Sequence, residues 1–510
     1  MIDVMIVGAG PTGLTAALEL ARRGHAVRIV DAASGPFDGS RGKGVTARTQ
    51  EVFDDLGIVE PLQEAGFRHL PMRVSVGGDV RFDADPAAAA VPTPDRPYES
   101  GLLLPQWRTE QILRDRLGEY GVHVEYGLTA TSVDDRGDHA RVAIEGDGDA
   151  AVTARYVIGC DGGHSTSRGW VGATFEGHGG PQALLIADVR VAGLTPDRWY
   201  QWTVPETGFA ALCPFRTTDR WQFQGLLFQD YVDFGGLPEP TLERVQRTVD
   251  QVTGSTSIRL SDPTWMSRWR VNVRLADRFR RGRVFLAGDA AHVHSPAGGL
   301  GMNTGIQDAY NLGWKLAAVL GGDADAALLD TYAEERIPVA QWTLGMSNRG
   351  LEDMSQAVTD PAATRLMTPH EDGQQLGLGY RWSSLSSETP GFAARTGSPA
   401  RAGDRAPDAP LRGPDGAATR LFDAYRGPHA TVVALGDAAA DGVGLSDTGV
   451  PVVTVGGPDG DLTDAAGHAR QAYGSDGLFV VRPDGYIGFA GVSGDGDAAR
   501  DYLARITGRP

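Results

Sequence analysis

The first 31 residues constrain the fold more than any other part of the chain. An apolar strand at Val4 to Val7 leads into the turn Gly8-Ala9-Gly10-Pro11-Thr12-Gly13, and an amphipathic helix is predicted from Leu14 to Arg23. The next strand runs from Val27 and ends in an acid, Asp31. The order strand, helix, strand predicts a parallel pair of strands with the helix packed across it.

The spacing of Gly8, Gly10 and Gly13 is the G-x-G-x-x-G pattern of a dinucleotide-binding turn. Glycines permit the tight turn and let a pyrophosphate approach the helix N-terminus, where free N–H groups and the positive end of the helix dipole meet the phosphates. Asp31 would accept hydrogen bonds from a ribose diol. By itself this pattern does not separate NAD from FAD.

Two later segments place an acid and glycines after a predicted strand. The first is Asp161-Gly162-Gly163, and the second is Gly288-Asp289 after the strand Val284 to Ala287. A carboxylate after a buried strand needs hydrogen-bonding partners, and a polyol chain would supply them. The glycine-rich stretch Pro296 to Asn303 leads into a helix predicted at Ile306 to Leu320, and it would aim a helix N-terminus at an electron-rich ring edge. These features favour FAD; the plain alternative is a capped loop with a solvated acid.

The remaining regions predict one more sheet and a terminal domain. Residues from about 180 to 270 alternate apolar and polar side chains, are rich in Trp and Phe, and predict one open antiparallel sheet. A hairpin is predicted at Pro71 to Phe82 and a helix at Thr109 to Glu119. The Gly- and Pro-rich stretch Gly397 to Pro414 indicates a boundary, and the strands beyond it predict a small α/β domain.

Charge and residue usage exclude several classes of function. The net charge of −18 argues against nucleic-acid and anionic-membrane partners. Of 47 basic residues only Lys43 and Lys315 are lysines, which does not favour a Schiff-base enzyme. Cys160 and Cys213 supply neither a disulfide framework nor a zinc site.

Histidine spacing and hydropathy bear on metals and on the compartment. His292 and His294 form an H-x-H pair without a nearby acid cluster, so we predict no metal site. The chain shows no secretory signal and no apolar run of about 18 residues, so a cytoplasmic protein without a membrane partner is expected.

Taken in order, the three segments resemble the single-component FAD-dependent aromatic hydroxylases with the para-hydroxybenzoate hydroxylase fold. The resemblance covers about residues 1–340. The tail is similar to the thioredoxin-like C-terminal domain of the subgroup that acts on aromatic polyketides and rifamycins, but it contains no Cys-x-x-Cys. Further matching segments are Ser40-Arg41, Ala47-Arg48-Thr49 with Glu51, Pro105-Gln106, Gly301 through Leu312, Asp404 to Pro407 and Val481 to Tyr486.

This resemblance implies an α/β composite fold with three parts. A Rossmann-like FAD-binding domain would comprise residues 1–175 and 274–400. An antiparallel substrate-binding sheet, residues 176–273, would be inserted into it, with residues 71–100 contributing. Residues 401–510 would form the thioredoxin-like domain, and a monomer or a homodimer is expected.

The resemblance also implies cofactor contacts. Asp31 would hold the adenosine ribose, and Arg41 and Gln106 the diphosphate and ribityl region. Asp289 would bind the ribityl chain or pyrophosphate, while Asp161 belongs to a segment implicated in binding both FAD and the nicotinamide cofactor. The predicted cofactor-binding residues are Gly8, Gly10, Gly13, Asp31, Arg41, Gln106, Asp161, Gly288, Asp289, Pro296, Gly301, Met302 and Asn303, the last three through their backbone at the flavin pyrimidine edge.

The implied reaction is hydroxylation of an aromatic polyketide or another polycyclic phenol. It would consume O2 and NADPH, or NADH, and proceed through a C4a-hydroperoxyflavin. The sequence identifies no catalytic acid or base. Three alternatives stay open: a Baeyer–Villiger-type oxygenase, an antibiotic-inactivating monooxygenase of the rifampicin type, and a non-catalytic flavin-binding scaffold.

Overall fold

Three large sheets organise the chain in the computed structural model. The structure describes residues 1–510 except 86–87, 89, 149, 234–237, 296, 360–370, 437–443, 457–460 and 509–510. Within this part, side chains are described for all but residues 180–182, 231–233, 297, 351–359 and 371–372.

The N-terminal sheet has a parallel centre. Its middle strand, Ile2–Val7, is apolar along most of its length and pairs in parallel with a neighbour on each side, as expected for a strand covered on both faces. The first helix, Pro11–Ala21, packs over this strand. In spatial order the strands are Arg280–Arg281, Val284–Leu286, Ala151–Gly159, Ile2–Val7, Val27–Asp31 and Val124–Tyr126, with the hairpin Thr129–Asp135 and Ala140–Glu145 attached to Ala151–Gly159.

The middle sheet is antiparallel except for one pair of strands. Trp199–Val204 runs parallel to Met72–Val76. A parallel pair needs a long connection, and the hairpin that contains Met72–Val76 comes from a distant part of the chain. In spatial order the strands are His292–Val293, Arg259–Ala276, Phe175–Ala192, Arg220–Leu227, Gly208–Pro214, Trp199–Val204, Met72–Val76 and Asp79–Ala84.

The structure corrects the expectation that residues 180–270 are all sheet. Phe228–Asp233 and Leu242–Thr253 are helices. In the second of them Val245, Val249 and Val252 recur at helical spacing and pack into the core on one face of the middle sheet. That helix begins at the cap Thr241, whose side chain accepts a hydrogen bond from the backbone N–H of Arg244.

The C-terminal sheet has five strands around a hairpin. Thr431–Leu435 pairs in parallel with Val452–Val455 and antiparallel with Gly477–Val481. Gly477–Val481 continues into Ile487–Gly491. The edge strand Ser387–Glu388 precedes the Gly- and Pro-rich stretch Gly397 to Pro414 in the chain. The C-terminal sheet therefore includes residues that come before the predicted domain boundary.

The central helix, Leu300–Gly321, packs directly against the first helix. It begins at Leu300 rather than at the predicted Ile306, because Gly298 and Gly299 adopt left-handed backbone angles (φ +84° and +64°) that end the preceding turn there. No helix in the described ranges is long and apolar enough to cross a membrane. Among the described residues the other α-helices are Ala47–Asp55, Val59–Ala65, Gln106–Gly118, Ser167–Trp170, Asp330–Thr359, Phe392–Thr396, Leu421–Tyr425, His468–Tyr473 and Gly496–Thr507.

A buried cluster of charges fastens the C-terminal sheet to the helices. The Glu335 carboxylate accepts hydrogen bonds from Lys315 Nζ at 2.7 Å and from Arg482 Nη1 at 2.7 Å. Arg482 also pairs with Asp484. Ionised groups without solvent are tolerated only when they satisfy one another, so the cluster requires the helices and the sheet to meet in one arrangement.

Candidate functional site

The glycine turn at the start of the first helix leaves space for a ligand at one position only. A Cβ atom on Gly8, where φ is +100°, would lie 2.4 Å from the carbonyl oxygen of Cys160. One on Gly13 would lie 1.9 Å from the carbonyl oxygen of Gly8. A Cβ on Gly10 would meet nothing within 4 Å. Gly8 and Gly13 therefore serve backbone packing, and Gly10 keeps the approach to the helix N-terminus clear, which fits a diphosphate.

Asp31 lies at the end of its strand, directly beside this turn. Its carboxylate accepts hydrogen bonds from the backbone N–H of Ala9 at 2.7 Å and of Ala33 at 2.8 Å. The side chain stays partly exposed, so the oxygens can still accept from ribose hydroxyls.

Glu110 is a buried acid near Asp31 that the sequence did not single out. Desolvation raises the pKa of Glu110 to about 7, and the negative charge of Asp31 contributes in the same direction. Gln106 donates to Glu110 Oε1 at 2.9 Å. A carboxyl group with this pKa is partly protonated near neutral pH.

Arg41, Gln106 and Met302 are brought together from three segments. Gln106 Oε1 accepts from the backbone N–H of Gly42 at 3.0 Å, and its own N–H donates to the carbonyl of Gly42 at 2.9 Å. Gly42 lies against Met302, since a Cβ there would be 3.4 Å from the Met302 sulfur. The Arg41 guanidinium is exposed and lies 5.8 Å from the centroid of the Phe37 ring.

The Gly288-Asp289 turn packs tightly against both helices. A Cβ on Gly288 would lie 2.5 Å from Thr12 Oγ1, and one on Gly305 would lie 2.4 Å from the same atom. The first helix, the Gly288 turn and the central helix therefore meet around Thr12 without room for further side chains.

Asp289 faces the open space beside this turn. Its side chain is exposed and makes no hydrogen bond with another residue in the described part of the chain. Surrounding protein atoms nevertheless desolvate the carboxylate and raise its pKa, while His292 and Arg41 act in the opposite direction. Hydroxyl groups of a polyol would supply the missing partners, so this position fits a ribityl chain.

Asp161 organises its own turn. One carboxylate oxygen accepts from the backbone N–H groups of Thr166 at 2.8 Å and Ser167 at 2.9 Å, and the other accepts from Ser165 Oγ at 2.6 Å. Arg168, which follows, donates to the carbonyl of Ala290 at 3.1 Å. The segment that begins at Asp161-Gly162 is thus hydrogen-bonded to the segment that begins at Gly288-Asp289.

Asn303 ties the start of the central helix to the short strand Gly44–Val45 and to Thr46, which follows it. Its Oδ1 accepts from the backbone N–H of Thr46 at 2.9 Å, and its Nδ2 donates to the carbonyls of Gly44 and Gly299 at 2.9 and 2.8 Å. The side chain is fully buried. Gly301 and Met302 lie in the first turn of the same helix, and Pro296 lies outside the described residues.

A buried chain of polar side chains runs beneath the Gly288 turn. His294 and His292 are hydrogen-bonded at 2.8 Å, and Asp308 accepts from His292, from Arg336 Nε at 2.7 Å and from the backbone N–H of Gly288 at 3.0 Å. Burial opposes the charge on Asp308, but His292 and Arg336 outweigh it and lower the pKa of Asp308 to about 2. The H-x-H pair therefore belongs to this network, which we did not predict.

One face of the middle sheet turns away from the helix Leu242–Thr253 and carries polar and aromatic side chains. Strand register places four of them side by side across four strands. Trp265 pairs with Asp188, Asp188 with Gln222, and Gln222 with Cys213. The neighbouring positions on these strands, such as Ala187 and Phe223, face the opposite core.

Four side chains at this face form what we call the Lys43 cluster: Ser40, Lys43, Asp188 and Gln222. Lys43 Nζ donates to Gln222 Oε1 at 2.6 Å and lies 4.0 Å from the centroid of the Trp199 ring. Gln222 Nε2 donates to Ser40 Oγ at 2.9 Å, and Ser40 Oγ donates to Asp188 Oδ1. Sequence reasoning missed the cluster because its members are far apart along the chain.

Comparison with known proteins gives two family matches that together span most of the chain. Residues 1–347 match the family described as FAD binding domain. Residues 399–510 match the family described as aromatic-ring hydroxylase, C-terminal.

Several known proteins are similar over the whole length or most of it. A flavin-dependent monooxygenase of Mycobacteroides abscessus is 40% identical over 99% of this chain and 100% of its own. The 12-dehydrotetracycline 5-monooxygenase/anhydrotetracycline 6-monooxygenase of Streptomyces rimosus is 33% identical over 100% and 99%. Rifampicin monooxygenase of Streptomyces venezuelae is 35% identical over 72% and 75%. The crystal structure of aklavinone-11 hydroxylase with FAD and aklavinone superposes with a TM-score of 0.81 at 28% identity, covering 100% of this chain and 99% of that one.

Proposed function

This chain belongs to the FAD-dependent aromatic-ring hydroxylases, a family of flavin-dependent monooxygenases, and we propose that it hydroxylates an aromatic polyketide or another polycyclic phenol. FAD, when bound, would supply the redox chemistry, that is, the transfer of electrons from a nicotinamide cofactor to O2. The chain itself holds the cofactor, orients the substrate and limits the access of water.

The cofactor site supports this proposal through the fit of its residues to FAD. Gly10 leaves room for the diphosphate at the first helix N-terminus, where the helix dipole favours anions. Asp31 and Asp289 provide acceptors for the ribose and ribityl hydroxyls. Arg41 adds a positive charge at the exposed edge.

The proposed substrate class rests on one observation, the character of the middle-sheet face next to Gly42 and Met302. That face combines aromatic side chains, Trp199 and Trp265, with polar ones, Gln222 and Lys43. A planar ring system with phenolic oxygens offers both kinds of contact. Two of the similar proteins carry tetracycline intermediates or aklavinone in their names, and such compounds are the natural probes.

An oxygen-electrode assay of the FAD-loaded protein tests the proposal. Anhydrotetracycline, aklavinone and simpler hydroxyanthraquinones are added with NADPH, and both O2 uptake and NADPH oxidation are followed. We expect at least one phenol to stimulate both, and its product to gain a single ¹⁸O atom from ¹⁸O2. A protein that binds FAD tightly but consumes no O2 with any phenol would be a scaffold instead.

We further propose NADPH as the electron donor and the cytoplasm as the compartment. Cys160 and Cys213 are both buried and unpaired, which suits a reducing compartment that supplies NADPH. Assays with NADPH and with NADH, each in the presence of a stimulating phenol, compare kcat/KM for the two donors. A higher kcat/KM with NADH would contradict the proposal that NADPH is the electron donor.

The similarity to rifampicin monooxygenase favours a second candidate substrate, rifampicin itself. The same assay with rifampicin separates the candidates. A product carrying a new hydroxyl on an intact ring indicates hydroxylation, whereas an opened or expanded ring indicates a Baeyer–Villiger outcome.

A further inference from the structure

Lys43 occupies an unusual position for a cation in this protein. It is one of only two lysines among 47 basic residues. It follows Gly42, whose backbone pairs with Gln106 and which lies against Met302 at the start of the central helix. Lys43 therefore sits where the proposed cofactor site meets the middle sheet.

The Lys43 ammonium group has no ion pair within the described part of the chain. Its neighbours are the Gln222 side-chain oxygen and the Trp199 ring. The side chain is half-buried, and desolvation lowers the pKa of Lys43. Desolvation of the Lys43 ammonium outweighs the attraction of the nearby Asp188 and Cys213 side chains, so an anionic ligand would relieve a cost that the protein leaves uncompensated.

A directed chain of hydrogen bonds fixes the orientation of this site. Because Gln222 Nε2 donates to Ser40, its Oε1 must point towards Lys43. Ser40 Oγ donates onward to Asp188, whose other oxygen is buried without a partner in the described ranges. Burial raises the pKa of Asp188 to about 6. The negative end of the chain is thus buried in the sheet, and the positive end faces the site.

We propose that Lys43 binds the ionised oxygen of an acidic phenol or enol on the substrate, with Gln222, Ser40 and Asp188 as its positioning residues. This inference rests on the proposed function and names the group that recognises the substrate. An ammonium has three donors, and Gln222 takes one of them. On binding, the phenol O–H bond breaks, the proton leaves to solvent, and Lys43 stays protonated. The resulting phenolate ring is more electron-rich and accepts an electrophilic oxygen atom more readily.

Titration of quinizarin bound to the FAD-loaded protein tests the inference. Quinizarin changes colour when a phenolic oxygen ionises, so difference spectra against the holoprotein give the pKa of the bound probe. We expect the wild-type protein to lower that pKa by about one unit, a tenfold change in the ionisation constant. Lys43→Met should abolish the shift, and Lys43→Arg should retain part of it. Arg81→Met removes an exposed cation from the edge strand Asp79–Ala84 of the same sheet and serves as control.

The titratable groups beside Lys43 are Asp188 and Cys213, and a negative charge on either would raise the pKa of a bound phenol, not lower it. A lowered probe pKa that survives in Lys43→Met would therefore overturn the inference. The inference would also be overturned if the wild-type protein does not bind quinizarin, or binds it without changing its pKa. If Lys43→Met does not retain FAD, Lys43→Gln takes its place.

Failure of the inference and failure of the proposed function give different results. O2 uptake stimulated by phenols in the wild-type protein, together with an unchanged KM and probe pKa in Lys43→Met, rejects the role of Lys43 alone. Absence of stimulated O2 uptake with every phenol rejects the proposed function.

Discussion

His292 Nε2 and Asp308 Oδ2 lie 2.5 Å apart, and both side chains are fully buried. The same carboxylate binds the backbone N–H of Gly288 and the guanidinium of Arg336. One acid on the central helix thus holds the Gly288-Asp289 turn in place. The geometry of the proposed ribityl contact depends on a residue that does not itself face the cofactor.

Replacing Asp308 by Asn should destabilise the protein and weaken FAD binding. The substitution leaves the buried Arg336 without its anion, and removing one partner of a buried pair costs about 3–5 kcal/mol. Urea unfolding and FAD retention on gel filtration measure the two effects. Asp330→Asn, which removes an exposed carboxylate paired with Arg280, should change stability by less than about 1 kcal/mol. Equal effects in the two variants would contradict the role of the buried network.

Alanine at Gly10 should weaken FAD binding, whereas alanine at Gly13 should lower the stability of the fold. Gly10→Ala meets no protein atom, so the folded protein should keep its thermal stability but lose FAD affinity by about 100-fold, or about 2.7 kcal/mol. Gly13→Ala collides with backbone and should lower the melting temperature of the cofactor-free protein itself. Differential scanning fluorimetry and FAD fluorescence titration separate the effects, with exposed Gly148→Ala as control. Tight FAD binding by Gly10→Ala would show that the diphosphate does not pass this position.

Glu110 should make stability fall as the pH rises through neutrality. Its pKa in the fold, about 7, lies above the ordinary value of 4.5, so its contribution is fully present below pH 4.5 and is lost as the pH passes 7. The difference corresponds to about 3 kcal/mol. Glu110→Gln should remove this part of the pH dependence in urea unfolding measured from pH 4.5 to 8 at constant FAD. Glu119→Gln, at the exposed end of the same helix, is the control, and parallel curves for wild type and Glu110→Gln would refute the prediction.

Arg482→Met should loosen the C-terminal sheet from the helices. The substitution leaves the buried carboxylates of Glu335 and Asp484 with fewer cations, and we expect a loss of about 3–5 kcal/mol. Limited proteolysis should then cut first near residues 389–400. Arg278→Met, which removes an exposed cation 3.2 Å from Asp277 and lies outside that segment, should leave the cleavage pattern unchanged. Cleavage at wild-type rates in Arg482→Met would show that the cluster does not hold the sheet.

Local patterns predicted the glycine turns that follow the strands Ile2–Val7 and Val284–Leu286, since each turn depends on neighbours in sequence. The strand Thr431–Leu435 and the hairpin that includes Gly477–Val481 lie where short continuous apolar runs indicate strands. The helix Leu242–Thr253 shows the limit of this reasoning. Its valines have helical spacing, but the aromatic and alternating residues on either side favoured a continuous sheet.

Contacts between distant segments could not be predicted in the same way. Asn303 contacts Gly44 and Thr46, which lie far from it in the chain, and Ser40 reaches Asp188 on the middle sheet. Such contacts depend on how the sheets and helices pack, and local sequence patterns do not predict that packing.

The sequence alone determined that residues 1–31 form a strand–turn–helix–strand unit with a glycine turn, because the apolar runs, the glycine spacing and the amphipathic helix pattern are all local in the chain. It also determined that no Cys-x-x-Cys occurs in the C-terminal domain. Tertiary structure decided that Asp308 supports the Gly288 turn and that Lys43 stands opposite Asp188 in one hydrogen-bonded chain. Burial and strand register set the partners and charges of these groups, and both arise only when the whole chain is folded.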